Sequence, residues 1–299
     1  MQTVLITGAN GFVGYYLTEQ LLKKNYRVIA TGKGESRLSF SDKNFIYESM
    51  DFTNSESVQK VFTKYKPDVV VHSGAMSKPD ECETMRDNAF LTNVTGTIYL
   101  LKQAAELKAF FVFISTDFVF SGEEGMYKED DNPGPVNYYG ETKLLAEGEV
   151  KDYSYDWSIV RTVLIYGSPK LGRQNILTSV ANSLSKGEPI YIFDDQVRTP
   201  TYVEDLASAI VVIIEKRSTG IFHISGEDVL TPYQMAVAIA EHLNLDNNLI
   251  NKVTAETFQP SENAAKRPLK TGFDITKAKR ELDYSSTSFE EGLRRTFEE

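Results

Sequence analysis

Cysteine, histidine and long apolar runs are all scarce in this sequence of 299 residues. A single thiol, Cys82, excludes an internal disulfide, and three histidines leave little material for a thiolate or imidazole metal cluster. Cys82 itself reads as a small buried or half-buried thiol. Basic charge is in deficit too: 32 Lys and Arg stand against 42 Asp and Glu, a net charge of −10. That balance argues against a nucleic-acid or anionic-membrane surface and leaves room only for a local basic pocket. The longest apolar runs, such as residues 110–114 and 210–214, are far too short to span a bilayer. No basic n-region precedes the first apolar run. A reduced, cytoplasmic, soluble enzyme is the expectation, of one large or two modest domains.

What the chain does have is concentrated at its start. Residues 3–14 read TVLITGANGFVG, an apolar β-branched run entering Gly8, Gly11 and Gly14, and an amphipathic stretch follows to about Lys24. Strand, glycine turn and helix in that order predict the phosphate-binding start of a doubly wound α/β (Rossmann) sheet. Gly8 would make the turn, Gly11 would let backbone approach a pyrophosphate, and Gly14 would let helix and sheet close together. The helix N-terminus then offers N–H groups and a positive dipole end.

Alternation continues downstream. Residues 27–31 (RVIAT), 45–48, 68–72 (DVVVH), 109–115 (AFFVFIS) and 157–162 predict strands; Val58, Val61, Phe62 and Tyr65 have the spacing of an amphipathic helix that Pro67 closes, and helices follow over 87–107 and 138–149. Residues 122–135 form a Gly-, Pro- and acid-rich loop, and Glu129, Asp130 and Asp131 read as its solvated face rather than a metal site. Beyond residue 163 the rhythm changes. Helices are expected over 176–186, 204–216 and 232–243, with a strand over 220–225. Thr231 with Gln234 and Ser288 with Glu291 predict two capping boxes. The expected division is a dinucleotide-binding domain over 1–163, with 198–225 returning to its sheet, and a smaller C-terminal α/β substrate-binding domain over 164–299.

The chemistry-bearing pattern lies between the fifth strand and the next helix. Ser115-Thr116-Asp117 ends the strand, and Tyr139 and Lys143 stand one helical turn apart on one helix face. An unperturbed phenol titrates near pH ~10, too high for proton exchange at neutrality, and a nearby ammonium favours the phenolate. A strand-end hydroxyl can then hold a substrate oxygen in line with the phenol. Tyr138 lacks a lysine four residues on and is set aside. The second strand's end, where an acidic residue would select an unphosphorylated ribose, carries Lys33 and Arg37, with Glu35 as the nearby acid. Either the two cations face a 2′-phosphate, favouring NADP over NAD, or they belong to a solvated charged loop.

With T-G-x-x-G-x-x-G at residues 7–14 and Y-x-x-x-K at 139–143, the chain resembles the extended short-chain dehydrogenases/reductases. The runs STDFVFSG (115–122), PVNYYGETKLLAE (135–147), RTVLIYG (161–167), DQVRTPT (195–201) and Arg267-Pro268 make it similar to the dTDP-4-dehydrorhamnose reductase group. The resemblance implies a catalytic trio of Thr116 on the carbonyl, Tyr139 as proton donor and Lys143 on the nicotinamide ribose. It places Asn10, Gly11, Phe12 and Val13 at the pyrophosphate, Asp51 and Phe52 at the adenine edge, and Gly74, Ala75 and Met76 along the fourth strand's exit. Asn93 would either touch the cofactor or act as a buried, helix-distorting amide. Ser77, Asp117, Arg198 and Arg267 join Thr116 and Tyr139 as substrate residues, the arginines suited to a diphosphate or else to structural ion pairs.

The implied activity is reduction of a nucleotide-linked 4-keto sugar by a homodimer. Phe118 stands where a dehydratase would carry a glutamate. A nucleotide-sugar epimerase is a further enzymatic reading. The regulatory β subunit of methionine adenosyltransferase, which binds NADP as a partner protein, is a non-enzymatic one; residues 79–83 and 222–236 resemble it. Leu164 and the Val197-Arg198 pair depart from the rhamnose-pathway pattern, so the sugar itself is not carried over.

Overall fold

The computed structural model describes residues 1–171, 174–258 and 264–298. In chain order it builds β1 (Thr3–Thr7), α1 (Phe12–Lys23), β2 (Arg27–Gly32), β3 (Phe45–Ser49), α2 (Ser55–Tyr65) and β4 (Val69–His72). Next come α3 (Pro79–Thr84), α4 (Arg86–Phe90), α5 (Gly96–Leu107), β5 (Phe110–Thr116), α6 (Tyr138–Lys151) and β6 (Trp157–Thr162). The remainder holds β7 (Ile165–Tyr166), α7 (Ile176–Ser185), β8 (Ile190–Phe193), β9 (Thr201–Tyr202), α8 (Val203–Lys216) and β10 (Gly220–Ile224). It ends with α9 (Pro232–His242), β11 (Ile250–Val253), α10 (Thr276–Leu282) and α11 (Phe289–Glu298).

β-Branched and aromatic residues dominate β1, β4 and β5, and both faces of β1 and β4 are buried, as in a parallel sheet covered on each side. Among the described residues the main sheet has seven parallel strands in the order β10-β6-β5-β4-β1-β2-β3. The order reverses at β1 and β4, which pair from Val4↔Val69 to Thr7↔His72. Ligands of doubly wound sheets sit beyond the carboxyl ends of two such strands. β10 joins the far edge beside β6, bringing a late segment back to the first half's sheet.

Separate apolar clusters cover the two sheet faces. A third, built on Tyr166, Leu177, Met235, Ile239 and Leu293, holds α7, α9 and α11 together with the two-stranded β8–β11 sheet. No helix among the described residues is long and apolar enough to cross a membrane.

Local details depart from the sequence expectation in three places. The helix expected over 87–107 contains a π-helical segment at Leu91–Thr95, between α4 and α5. The Thr231–Gln234 box is complete, whereas at Ser288 only the Glu291 N–H is capped, because the Glu291 carboxylate turns to Arg294 and Arg295. In the acidic loop, Glu129 is half-buried and accepts from the His223 N–H, so it is not part of a solvated face. α3, α10 and the short strands β7, β8, β9 and β11 were not legible, being too short for periodicity to declare itself.

Candidate active site

The site is built upward from the β1–α1 turn. Gly8 has φ +68°, and a Cβ at Gly14 would lie 2.5 Å from the Gly8 carbonyl oxygen, so helix and strand meet where only glycine fits. Gly11 is the N-cap of α1, and neither a side-chain cap nor an acidic first-turn residue occupies that end. The first-turn N–H groups of Phe12, Val13 and Gly14 are therefore available to an anion.

Asn10 ties this turn to the loop after β2. Its side chain donates to the Glu35 carbonyl and the Tyr47 hydroxyl, each at 2.9 Å, and accepts from the Arg37 N–H. Arg37 in turn donates from Nη2 to the Asn10 carbonyl at 2.9 Å. One of the two expected phosphate cations thus lies directly on the glycine turn. Lys33 is paired with Asp51 at 2.8 Å on the same rim. Phe52 packs against Gly74 and Gly96 and meets His72 edge-on, closing the floor beside the β4 exit.

Asn93 is a buried amide within the π-helical segment. It accepts from the Met76 N–H, donates to the Met76 carbonyl and donates to the Thr142 hydroxyl. Its polar groups hold the 74–76 segment to α6. Behind it runs a chain that the sequence did not disclose. Thr97 donates to the Asn93 carbonyl, leaving its oxygen to accept from His72 Nε2, and His72 Nδ1 then accepts from Thr7. Burial, reinforced by Lys143, holds the His72 imidazole neutral, well below its ordinary range. The glycine turn, β4 and α6 share one buried polar framework.

On α6, Lys143 is buried, donates to the Ile114 carbonyl at 2.7 Å and lies 3.8 Å from the centre of the Phe113 ring. Burial pushes its ammonium down to about 7, against the opposing pull of Glu147. Tyr139 sits one turn earlier with Phe118 edge-on at 5.8 Å. Tyr138 points elsewhere: its N–H is taken by Glu83 and its ring by Arg86. Asn137 caps the helix through the Gly140 N–H. Glu147 is fully buried against Arg161 in a two-point ion pair at 2.9 and 2.7 Å, and it also accepts from Ser115. This pair pins α6 to β5 and β6, so the strand end carrying Thr116 and the helix carrying Tyr139 and Lys143 keep one register.

The substrate residues divide. Ser77 is exposed at the β4 exit, and Thr116 lies just inside the surface. Arg198 and Arg267 depart from the expectation of guanidinium groups open to a diphosphate. Arg198 is buried and donates to the carbonyls of Val197, Pro268 and Leu269, with Gln196 alongside. Arg267 makes a two-point pair with Asp80 of α3 at 2.7 and 2.8 Å. Asp117 is buried rather than open, hydrogen-bonded by Thr116 and Thr271. Burial raises its carboxyl above the ordinary range, with Arg198 and the two hydroxyls opposing. Glu147, Arg161 and Asp80 lie within runs that carry the resemblance and Thr271 lies in none, but no role is legible there for any of them; chain separations of 14 to 187 residues closed by folding bring these partners together.

The family model described as RmlD substrate binding domain matches residues 1–299. The Bacillus subtilis spore coat polysaccharide biosynthesis protein SpsK is 33% identical over 86% of this chain and 84% of its own. Methionine adenosyltransferase 2 subunit beta of Rattus norvegicus is 32% identical over 92% of this chain and 80% of its own. Among solved structures, the dTDP-4-dehydrorhamnose reductase of Bacillus anthracis in complex with NADP superposes with a TM-score of 0.85 at 32% identity, covering 99% of each chain.

Proposed function

The chain belongs to the RmlD substrate binding domain family of extended short-chain dehydrogenases/reductases, and on that premise we propose that it is an NADPH-dependent reductase of a nucleotide-linked 4-keto-6-deoxy sugar. The observation that carries this reading is Lys143. It is buried one turn after Tyr139 and bonded to the carbonyl of Ile114, two residues before Thr116. A lysine buried without chemical use would cost stability for nothing.

The chain's own groups fit a dinucleotide. The uncapped α1 N-terminus suits a pyrophosphate, Arg37 and Lys33 suit a 2′-phosphate, and Lys143 suits the nicotinamide ribose. When bound, the reduced nicotinamide supplies the hydride. Tyr139 gives its phenolic proton to the oxygen that the reduction leaves negative, and the Lys143 ammonium stabilises the phenolate that remains. Residues 1–163, with 198–225, carry the cofactor in this reading, and 164–299 carry the sugar nucleotide.

The reading includes a cytoplasmic homodimer. Leu91, Ile98 and Leu145 are exposed on neighbouring helical segments, and Gly148 of α6 faces open space that a second copy's helix can enter.

NADPH is expected to bind at least about tenfold more tightly than NADH, since charge-assisted bonds to a phosphate contribute more than neutral ones. Fluorescence titration checks this, and tighter NADH binding overturns the roles given to Lys33 and Arg37. The function itself is tested by NADPH oxidation across a panel of 4-keto sugar nucleotides, where turnover of at least one member is expected.

A second reading is a non-catalytic NADP-binding regulatory subunit, favoured by the 32% identity to the methionine adenosyltransferase subunit. Wild-type protein that reduces no member of the panel yet co-purifies with a synthetase establishes that reading instead.

A further inference from the structure

The loop after β2 is laced to the glycine turn through a single amide. Asn10 uses both of its amide protons and its oxygen there: Nδ2 donates to the Glu35 carbonyl and the Tyr47 hydroxyl, and Oδ1 accepts from the Arg37 N–H. Tyr47, half-buried on β3, closes the lacing. Its hydroxyl accepts from Asn10 and shares its one proton between the carbonyls of Gly34 at 3.0 Å and Glu35 at 3.3 Å. Burial raises the phenol above its ordinary range, so the proton it donates is kept. A Cβ at Gly32 would lie 3.1 Å from that hydroxyl and 3.2 Å from Asn10 Nδ2, so the contact passes where a side chain would crowd it.

Further along, Leu38 is buried in the cluster on one face of the sheet, and the Phe40 ring packs on Tyr15 of α1. Apolar burial thus holds the far end of the loop, and one phenol holds its centre. Arg37 lies between these anchors. It is exposed, and Nη2 donates to the Asn10 carbonyl at 2.9 Å, while Nε and Nη1 make no hydrogen bond among the described residues. A guanidinium fixed by one nitrogen to the turn that suits a pyrophosphate keeps its other N–H groups for a second anion on the same rim. Main chain held in place before binding also avoids the ordering cost that a free loop would incur.

We propose that Tyr47 is a positioning residue that, through Asn10 and residues 34–37, sets how strongly the site prefers a cofactor carrying a 2′-phosphate. Arg37 is the group that meets the phosphate, and Tyr47 touches no part of the cofactor. An unphosphorylated ribose offers Arg37 no charge, so its binding is indifferent to where the loop holds that side chain.

The role rests on the NADP reading of the cofactor and is the same in a reductase and in a regulatory subunit. In fluorescence titration, Tyr47→Phe is expected to weaken NADPH binding about fivefold, with NADH affinity staying within about twofold. Arg37→Ala is expected to weaken NADPH binding at least about tenfold. Adding Tyr47→Phe to Arg37→Ala is expected to change it no further, because the influence of the phenol runs through the missing guanidinium. A tyrosine that only supports the fold would weaken both cofactors alike, in either background. A cofactor-independent readout is exchange of the Arg37 amide hydrogen in the unliganded protein, followed by NMR. It is expected to quicken at least about tenfold in Tyr47→Phe, since the lacing that holds Asn10 against it is cut. An unchanged NADPH to NADH ratio, an equal loss for both cofactors, or an undiminished effect without Arg37 overturns the proposal. Tighter NADH binding by wild type sinks the cofactor reading; an Arg37 amide indifferent to Tyr47→Phe sinks this one.

Discussion

Tyr139→Phe is expected to lower kcat for keto-sugar reduction by about two to four orders of magnitude while leaving NADPH binding nearly intact. The substitution removes one oxygen, the atom that gives up the proton. Every group assigned to the cofactor's phosphates lies on other elements: the α1 N-terminus, Arg37 and Lys33. Lys143 keeps its bond to the Ile114 carbonyl and its place beside Phe113. Stopped-flow or steady-state NADPH oxidation, paired with fluorescence titration, separates the two effects. A variant that loses cofactor affinity as steeply as turnover would place Tyr139 in binding instead of proton transfer. Lys143 also sets the pH dependence. With its ammonium pushed down to about 7, the charged form is lost as pH rises through that value, so kcat/KM for reduction is expected to fall on the alkaline side of about 7.

The largest effect on stability is expected at the Arg161–Glu147 pair. Both side chains are buried, at 1% and 0% exposure, so neither charge can recover its water if the other is removed. Glu147→Leu is expected to cost about 3–5 kcal/mol, a thermal shift of roughly 10 °C, because it strands the guanidinium against Phe120 and His223. The double substitution Glu147→Leu with Arg161→Met removes both charges and is expected to recover most of that loss. Thermal and urea unfolding of the two variants, beside wild type, measure it. Equal damage in single and double variants would show that shape, not unpaired charge, is what the site requires.

The parts of the site legible in the sequence are those made by neighbours. The Gly8–Gly14 turn can be read because backbone sterics there admit only glycine, and the strand before it and helix after it each carry their own periodicity. Tyr139 and Lys143 are paired by the helix repeat alone. The Thr231–Gln234 box is local too. Where local reading failed, a competing partner had intervened: Glu291 left Ser288's box for Arg294 and Arg295 one turn further along the same helix, and Glu129 left the solvent for the backbone of the distant His223, on β10.

Arg198 and Arg267 show the same limit from the functional side. As residue types they suit a diphosphate or else a structural ion pair. Folding gave Arg198 the carbonyls of residues 197, 268 and 269, and gave Arg267 the carboxylate of Asp80, 187 positions away. Nothing in the residues flanking either arginine encodes the distant partners, the carbonyls of 268 and 269 and the carboxylate of Asp80.

By itself, then, the sequence determined a doubly wound sheet with a dinucleotide turn and a Tyr–Lys pair, since hydrophobic period, glycine sterics and helical spacing all act over a few residues. Only the tertiary structure decided which charges are spent inside the protein. Those depend on burial and on partners such as Asp117 and Thr271, 154 residues apart, that meet only when the sheet and the C-terminal segment close on each other.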